Sequence, residues 1–132
     1  MYFAASNAAA FPFRSCARAI ESAPATSRST CSQGPEGPEN VRSIVLRLRH
    51  LGHALLLTGD LEKEGMDLFL ALPRQPVDVL MAPHHGSLTT SPARLLDWGQ
   101  PRLAVASQAA PRWPPKKDDP FEKARVPLWR TS

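Results

Sequence analysis

Short apolar strands alternating with amphipathic helices predict an α/β chain whose chemistry sits just past the carboxyl ends of neighbouring strands. Two runs carry that expectation. Residues 54–58 and 77–82 are too short for helices and apolar on both faces, as inner strands are. Between them Leu61, Gly65, Leu68, Phe69 and Leu72 recur at helical spacing, and after them Ser91-Pro92 opens a second helical stretch that Gly99 and Pro101 end.

Residues 1–39 mix Ala, Ser, Pro and Gly with few periodic apolar positions, and Gly34-Pro35-Glu36-Gly37-Pro38 suits neither a helix nor an inner strand. This segment reads as a disordered or unrelated leader, with the folded unit over residues 40–132. Residues 43–49 alternate, with Ile44, Leu46 and Leu48 on one face and Val45, Arg47 and Arg49 on the other, the pattern of a half-buried strand. Gly52 turns the chain into residues 54–58 as an antiparallel hairpin. Glu62, Lys63 and Asp67 give the following helix its wet side, and Pro73 stops it. Pro83 closes the strand at 77–82 because it offers no ladder donor. Ser91 and Pro92 form an N-cap and N1 pair for a helix to Trp98. A strand at 103–107, a short helix from Phe121 and a last strand within 125–130 complete the reading.

The chain has 132 residues, 42% hydrophobic and 21% charged, a soluble globular composition that allows one domain and excludes a two-domain enzyme. Its apolar runs, five residues at most, fall far short of the ~20 residues of a spanning helix, so no membrane segment is expected. A net charge of +4 would attract rather than repel nucleic acid, although the arginines are scattered as on an ordinary solvated surface. Residues 1–39 are not expected to act as a secretory signal, since Arg14 is the first basic residue and Pro12 breaks the apolar stretch. Cys16 and Cys31 form no C-x-x-C pair and read as reduced, incidental thiols.

The chemistry-bearing residues are Asp60 and the pair His84-His85, each just past a strand end. Neighbouring strand ends lie about 5 Å apart, close enough for a carboxylate and an imidazole to share one ion. Oxygen and nitrogen donors suit Zn²⁺ or Mn²⁺. Two bland alternatives stand beside this: Asp60 as a helix cap, and the histidines as a surface pair. Adjacent residues in extended chain point opposite ways, so one ring would be a ligand and the other a substrate contact. His50 and His53 flank the hairpin turn, some 20 Å from the Asp60 end of the strand, and are expected to be exposed. Ser87 lacks the G-x-S-x-G setting of a nucleophile.

In order, Asn40-Val41-Arg42-Ser43-Ile44-Val45-Leu46, Leu56-Leu57-Thr58-Gly59-Asp60-Leu61-Glu62, Asp78-Val79-Leu80-Met81-Ala82-Pro83-His84-His85-Gly86-Ser87 and Pro101-Arg102-Leu103-Ala104-Val105-Ala106-Ser107 resemble the metallo-β-lactamase-fold domain of ComEC-type DNA-uptake proteins. The resemblance covers residues 39 to about 107. It implies a four-layer αββα sandwich of which this chain carries the C-terminal half, and a metal-dependent hydrolase with Zn or Mn, two-metal in the complete domain. Asp60 matches the bridging metal ligand, His85 the last histidine ligand, and His84 would act catalytically, facing the scissile phosphate. The implied activity is phosphodiester cleavage linked to DNA uptake, with DNA and the missing N-terminal half of the domain as partners. Full-length relatives hold this domain beside an inner-membrane channel.

The family's H-x-[HD]-x-D-H string, which supplies most ligands, occurs nowhere in the 132 residues, and Asp119 stands where relatives often place a His before the proline. The expectation is therefore a fragment inactive alone. A non-catalytic remnant or binding module, or a small-molecule metallo-hydrolase of the same fold, are the competing readings. Half a sandwich should also expose the sheet face its other half would cover.

Overall fold

The computed structural model describes residues 14–15, 27–33, 37–108 and 118–131. Its strands form one sheet in sequence order: β1 (Arg14–Ser15), β2 (Ser27–Gln33), β3 (Ile44–His50), β4 (His53–Leu57), β5 (Val79–Met81), β6 (Leu103–Ala106) and β7 (Leu128–Arg130). The first four pair antiparallel, and β4 through β7 pair parallel. The parallel crossovers carry α1 (Lys63–Leu70), α2 (Pro92–Gly99) and α3 (Pro120–Lys123). The chain is thus α/β with a mixed sheet.

Local chemistry explains most boundaries. His50 faces His53 across a two-residue turn in which Leu51 and Gly52 both take positive φ, 48° and 85°, the twist that tight hairpins need. Asp119 caps α3 by accepting the Phe121 N–H at 2.8 Å, with Pro120 at the first helical position. Ser91 precedes α2 and Pro92 opens it as expected, but Ser91 is left-handed (φ 54°) and its side chain makes no cap. Cap geometry requires an extended residue there, and the turn arriving from Thr90 does not supply one.

The leader departs further from expectation. Ser27–Gln33 forms β2, in register with β3 from Ser27 opposite His50 to Gln33 opposite Ile44. Its Ser-Arg-Ser-Thr-Cys-Ser-Gln sequence has no apolar alternation to announce a strand, yet it pairs with β3 along its whole length. The rest of residues 1–39, apart from 14–15 and 37–39, lies outside the described residues.

All three described helices pack on one face of the sheet, as right-handed crossovers between sequential parallel strands demand. Val45, Leu56, Leu80, Ala104 and Ala106 from the strands meet Leu61, Met66, Phe69, Leu95, Leu96, Trp98 and Phe121 there. The Phe69 and Trp98 rings pack tilted at 47° with centroids 4.7 Å apart, and the indole N–H donates to the Leu72 carbonyl at 3.0 Å. On the opposite face the register aligns Leu46 with Leu57, Leu48 with Leu55, Leu57 with Met81, Met81 with Val105 and Val105 with Trp129. These side chains are only half-buried, and Ile44 and Trp129 are 55% and 66% exposed. In β3 the continuous apolar face of the sequence, Ile44, Leu46 and Leu48, is therefore the one without helices, while Val45 and Arg47 face the core.

At the amino ends of β4 and β5, Asp78 accepts the Ala54 N–H at 2.8 Å and lies 3.6 Å from His53 Nδ1. That backbone hydrogen bond, helped by His53 and Arg102, outweighs desolvation and holds the Asp78 carboxyl below the usual carboxylate range. The unfolded chain then binds the proton more readily, so this contribution is full above the ordinary carboxylate pKa and is lost as pH falls through the lowered one. Asp78→Asn should melt below wild type at neutral pH, with the gap narrowing below about pH 4. Melting curves across that range check it; a gap independent of pH would refute it.

Candidate functional site

The loops after β4 and β5 are tied to one another before any side chain is considered. The His84 N–H donates to the Gly59 carbonyl at 3.1 Å, and the buried Thr58 hydroxyl donates to the Met81 carbonyl at 2.9 Å. Asp60 is fixed from a third direction, its N–H donating to Ser43 Oγ at 3.0 Å just before β3. Gly59 is needed for this: its φ is +54°, and a Cβ there would overlap Ser43 Oγ.

His84, His85 and Gly86 all have positive φ, 47°, 57° and 85°. Left-handed backbone costs a non-glycine residue roughly 1 kcal/mol, so the histidine pair sits in a strained turn that its surroundings must hold. The Gly86 N–H donates to Pro83 and that of Ser87 to His84, each at 3.0 Å, while His85 Nδ1 lies 3.1 Å from the Ser107 carbonyl beyond β6.

This places His85 Nε2 3.9 Å from Asp60 Oδ1, with both side chains about half exposed. His84 Nδ1 is buried without a well-directed hydrogen bond, 3.4 Å from Glu62 Oε2, and the two imidazoles are nearly perpendicular with centroids 6.1 Å apart. Asp60 and the histidines are thus brought together as the sequence suggests, one pairing with each acid. Asp60 does not cap α1, whose N-cap position is Glu62. His50 and His53 are exposed at the far end of the hairpin.

Glu62 is the residue that sequence reasoning missed. Partial desolvation raises its proton affinity, but the 3.4 Å Asn40 amide, His84 and Lys63 pull further the other way, and the carboxyl is held below its usual range. Its signal is its place two residues past Asp60 on a stretch that is not yet helical, which periodicity alone groups with the wet side of α1. A groove of about 700 Å³ between α2 and α3 contains none of these groups.

The donor set fits a metal in part. His85 has its Nδ1 engaged by a carbonyl, which leaves Nε2 as the available lone pair, the arrangement that orients histidine ligands in metal sites. Two donors on one tetrahedral Zn²⁺ stand roughly 3.4 Å apart, and small rotations of half-exposed side chains close 3.9 Å to that. No group of three or more His, Cys, Asp or Glu arranged for an ion occurs among the described residues. The chain offers two ligands, not a complete coordination sphere.

The mixed α/β sheet carries acid and histidine pairs at the carboxyl ends of its parallel strands, the edge at which α/β sheets generally bind ligands. No protein-family model matches the chain. ComE operon protein 3 of Bacillus subtilis (strain 168) is 37% identical over 78 residues, 55% of this chain and 10% of that protein. Recombination protein 2 of Haemophilus influenzae (strain ATCC 51907 / DSM 11121 / KW20 / Rd) is 35% identical over 79 residues, 60% of this chain and 10% of that protein. The chain therefore spans about a tenth of the length of these relatives. Both similarities support the competence and DNA-uptake relationship drawn from the order of motifs. Among the described residues no helix is long and apolar enough to cross a membrane.

Proposed function

We propose that the chain is the C-terminal half of a metallo-β-lactamase-fold domain and contributes to metal-dependent cleavage of phosphodiesters in DNA uptake. The observation that supports this most is the approach of Asp60 Oδ1 to His85 Nε2 across two hydrogen-bonded loops, with His85 oriented by Ser107. Asp60 and His85 would hold the Zn or Mn ion, which when bound supplies a hydroxide nucleophile at neutral pH and offsets charge on the phosphate. His84, backed by Glu62, would polarise the scissile group or give a proton to the leaving oxygen. The apolar sheet face that no described helix crosses is the surface against which the other half of a sandwich would pack. The remaining ligands would arrive with that half, so the chain alone is inactive.

A non-catalytic remnant or binding module is the second reading, favoured by the absence of a three-ligand group among the described residues. Metal retention after dialysis, read by elemental analysis or calorimetry, separates the two. The hydrolase reading expects weak Zn or Mn binding that Asp60→Asn and His85→Ala each abolish and His50→Ala leaves intact. Equal retention in all three variants, or none in the wild type, sinks it.

A further inference from the structure

Beside the histidine turn lies a cation with no counter-ion among the described residues. Arg130 ends β7 opposite Ala106, and its guanidinium lies against Gly86. A Cβ built on Gly86 would meet Ala106 Cβ at 2.9 Å, Gln108 Nε2 at 3.4 Å and Arg130 Nη1 at 3.8 Å, so two nitrogen donors from separate segments converge on the one position in this turn that carries no side chain. Arg130 Nη1 is buried and makes no hydrogen bond, and Arg130 forms no ion pair among the described residues. Asp119 and Glu122 line one groove with Arg130, yet neither pairs with it among the described residues, and Asp119 accepts the Phe121 N–H instead; Asp60 faces His85, and Glu62 faces Asn40, His84 and Lys63. A partly desolvated guanidinium left without an acceptor is costly, and the cost is recovered when an anion takes its place.

We infer that Arg130, with the Gln108 amide, forms an oxyanion cradle beside His84-His85-Gly86 that binds a phosphate oxygen of a nucleic-acid strand. This rests on the reading of that strand edge as a phosphodiester site and adds the group that would position the substrate there. The planar guanidinium fork matches the paired oxygens of a phosphate, and a lysine ammonium would hold the charge without the geometry. Arg130 is a positioning residue: it anchors a phosphate while Asp60, His84 and His85 face the reacting one.

The test needs no metal and no turnover. The metal-free chain is titrated with inorganic phosphate and, separately, with a short single-stranded oligonucleotide, while the Gly86 amide and Arg130 side-chain N–H resonances are followed by NMR. Saturable shifts at both are expected with either probe. Arg130→Gln should weaken phosphate binding roughly tenfold or more, as loss of a charged hydrogen bond does, and Arg130→Lys should retain part of it. Arg102→Gln, at the opposite end of the sheet beside Asp78, should leave it unchanged. Preserved spectral dispersion in Arg130→Lys guards against misfolding. Unaltered phosphate affinity in Arg130→Gln, or oligonucleotide binding with no shift at Gly86, overturns the cradle. Phosphate binding in a chain that retains no Zn or Mn after loading and dialysis would sink the hydrolase reading and leave the cradle standing; metal retention without any phosphate shift would do the reverse.

Discussion

Gly65→Ala should destabilise the chain by about 2 kcal/mol, although alanine is the better helix former. Gly65 lies in α1, where alanine alone would gain about 1 kcal/mol. A methyl group there, however, would overlap the backbone carbonyl oxygen of Val41 and crowd Leu61 Cδ1 at 3.0 Å. Backbone cannot rotate out of the way as a side-chain end can, so overpacking of about 3 kcal/mol is the relevant scale and outweighs the helical gain. For a chain of this size the net loss corresponds to roughly 6–10 °C in Tm. The same contact also supports the site. The turn before β3 docks on the start of α1 through the Glu62 N–H to Asn40 carbonyl bond at 3.3 Å, and it continues into Ser43, which holds the Asp60 N–H. Displacing it should therefore weaken metal retention as well as stability. Thermal melts and the dialysis measurement check the two halves, and an unchanged or higher Tm would show that this segment yields.

The coupling between that turn and Asp60 marks the boundary of what the sequence discloses. The β3–β4 hairpin and the parallel neighbours β4 and β5 were legible because Gly52 and the apolar runs act locally, and so was the placement of Asp60 and His84-His85 at adjoining strand ends. The strained turn was not, since positive φ at two histidines is imposed by the Gly59, Ser107 and Ala106 contacts rather than by residue preference. Arg130 and Gln108 could not be assigned to the site either, because only the register of β6 and β7 brings them to Gly86. Arg47 shows the same limit: alternation groups it with Val45 and Arg49 without saying which face meets the helices, and it lies on the helix side, donating to the Pro76 carbonyl at 3.1 Å. Alternation tells which residues share a face; it does not tell which face the helices choose.

That choice leads to the second large effect, on association. The face carrying Leu46, Leu48, Leu55, Leu57, Val79, Met81, Leu103, Val105 and Trp129 has no described helix across it, and its exposed ends are Ile44 and Trp129. Neighbouring strands stand about 4.8 Å apart, so the five strands from β3 to β7 present an apolar surface some 20 Å across, at or above the largest patch usual on a monomer. Water contact on that scale favours stacking of sheets. The isolated chain should bind an apolar dye such as ANS and sediment as oligomers at micromolar concentration. Ile44→Lys with Trp129→Lys should shift it strongly toward monomer while leaving the circular dichroism intact, because both side chains are already solvent-exposed and neither belongs to the helix-side core. Leu56→Lys, on the covered face, should instead unfold the chain, since Leu56 is 1% exposed and a buried unpaired ammonium has no acceptor there. Sedimentation with matched spectra distinguishes these cases. A wild-type chain that stays monomeric and binds no dye would show that the apolar face is already covered, and the half-sandwich reading would lose the surface on which its other half must pack.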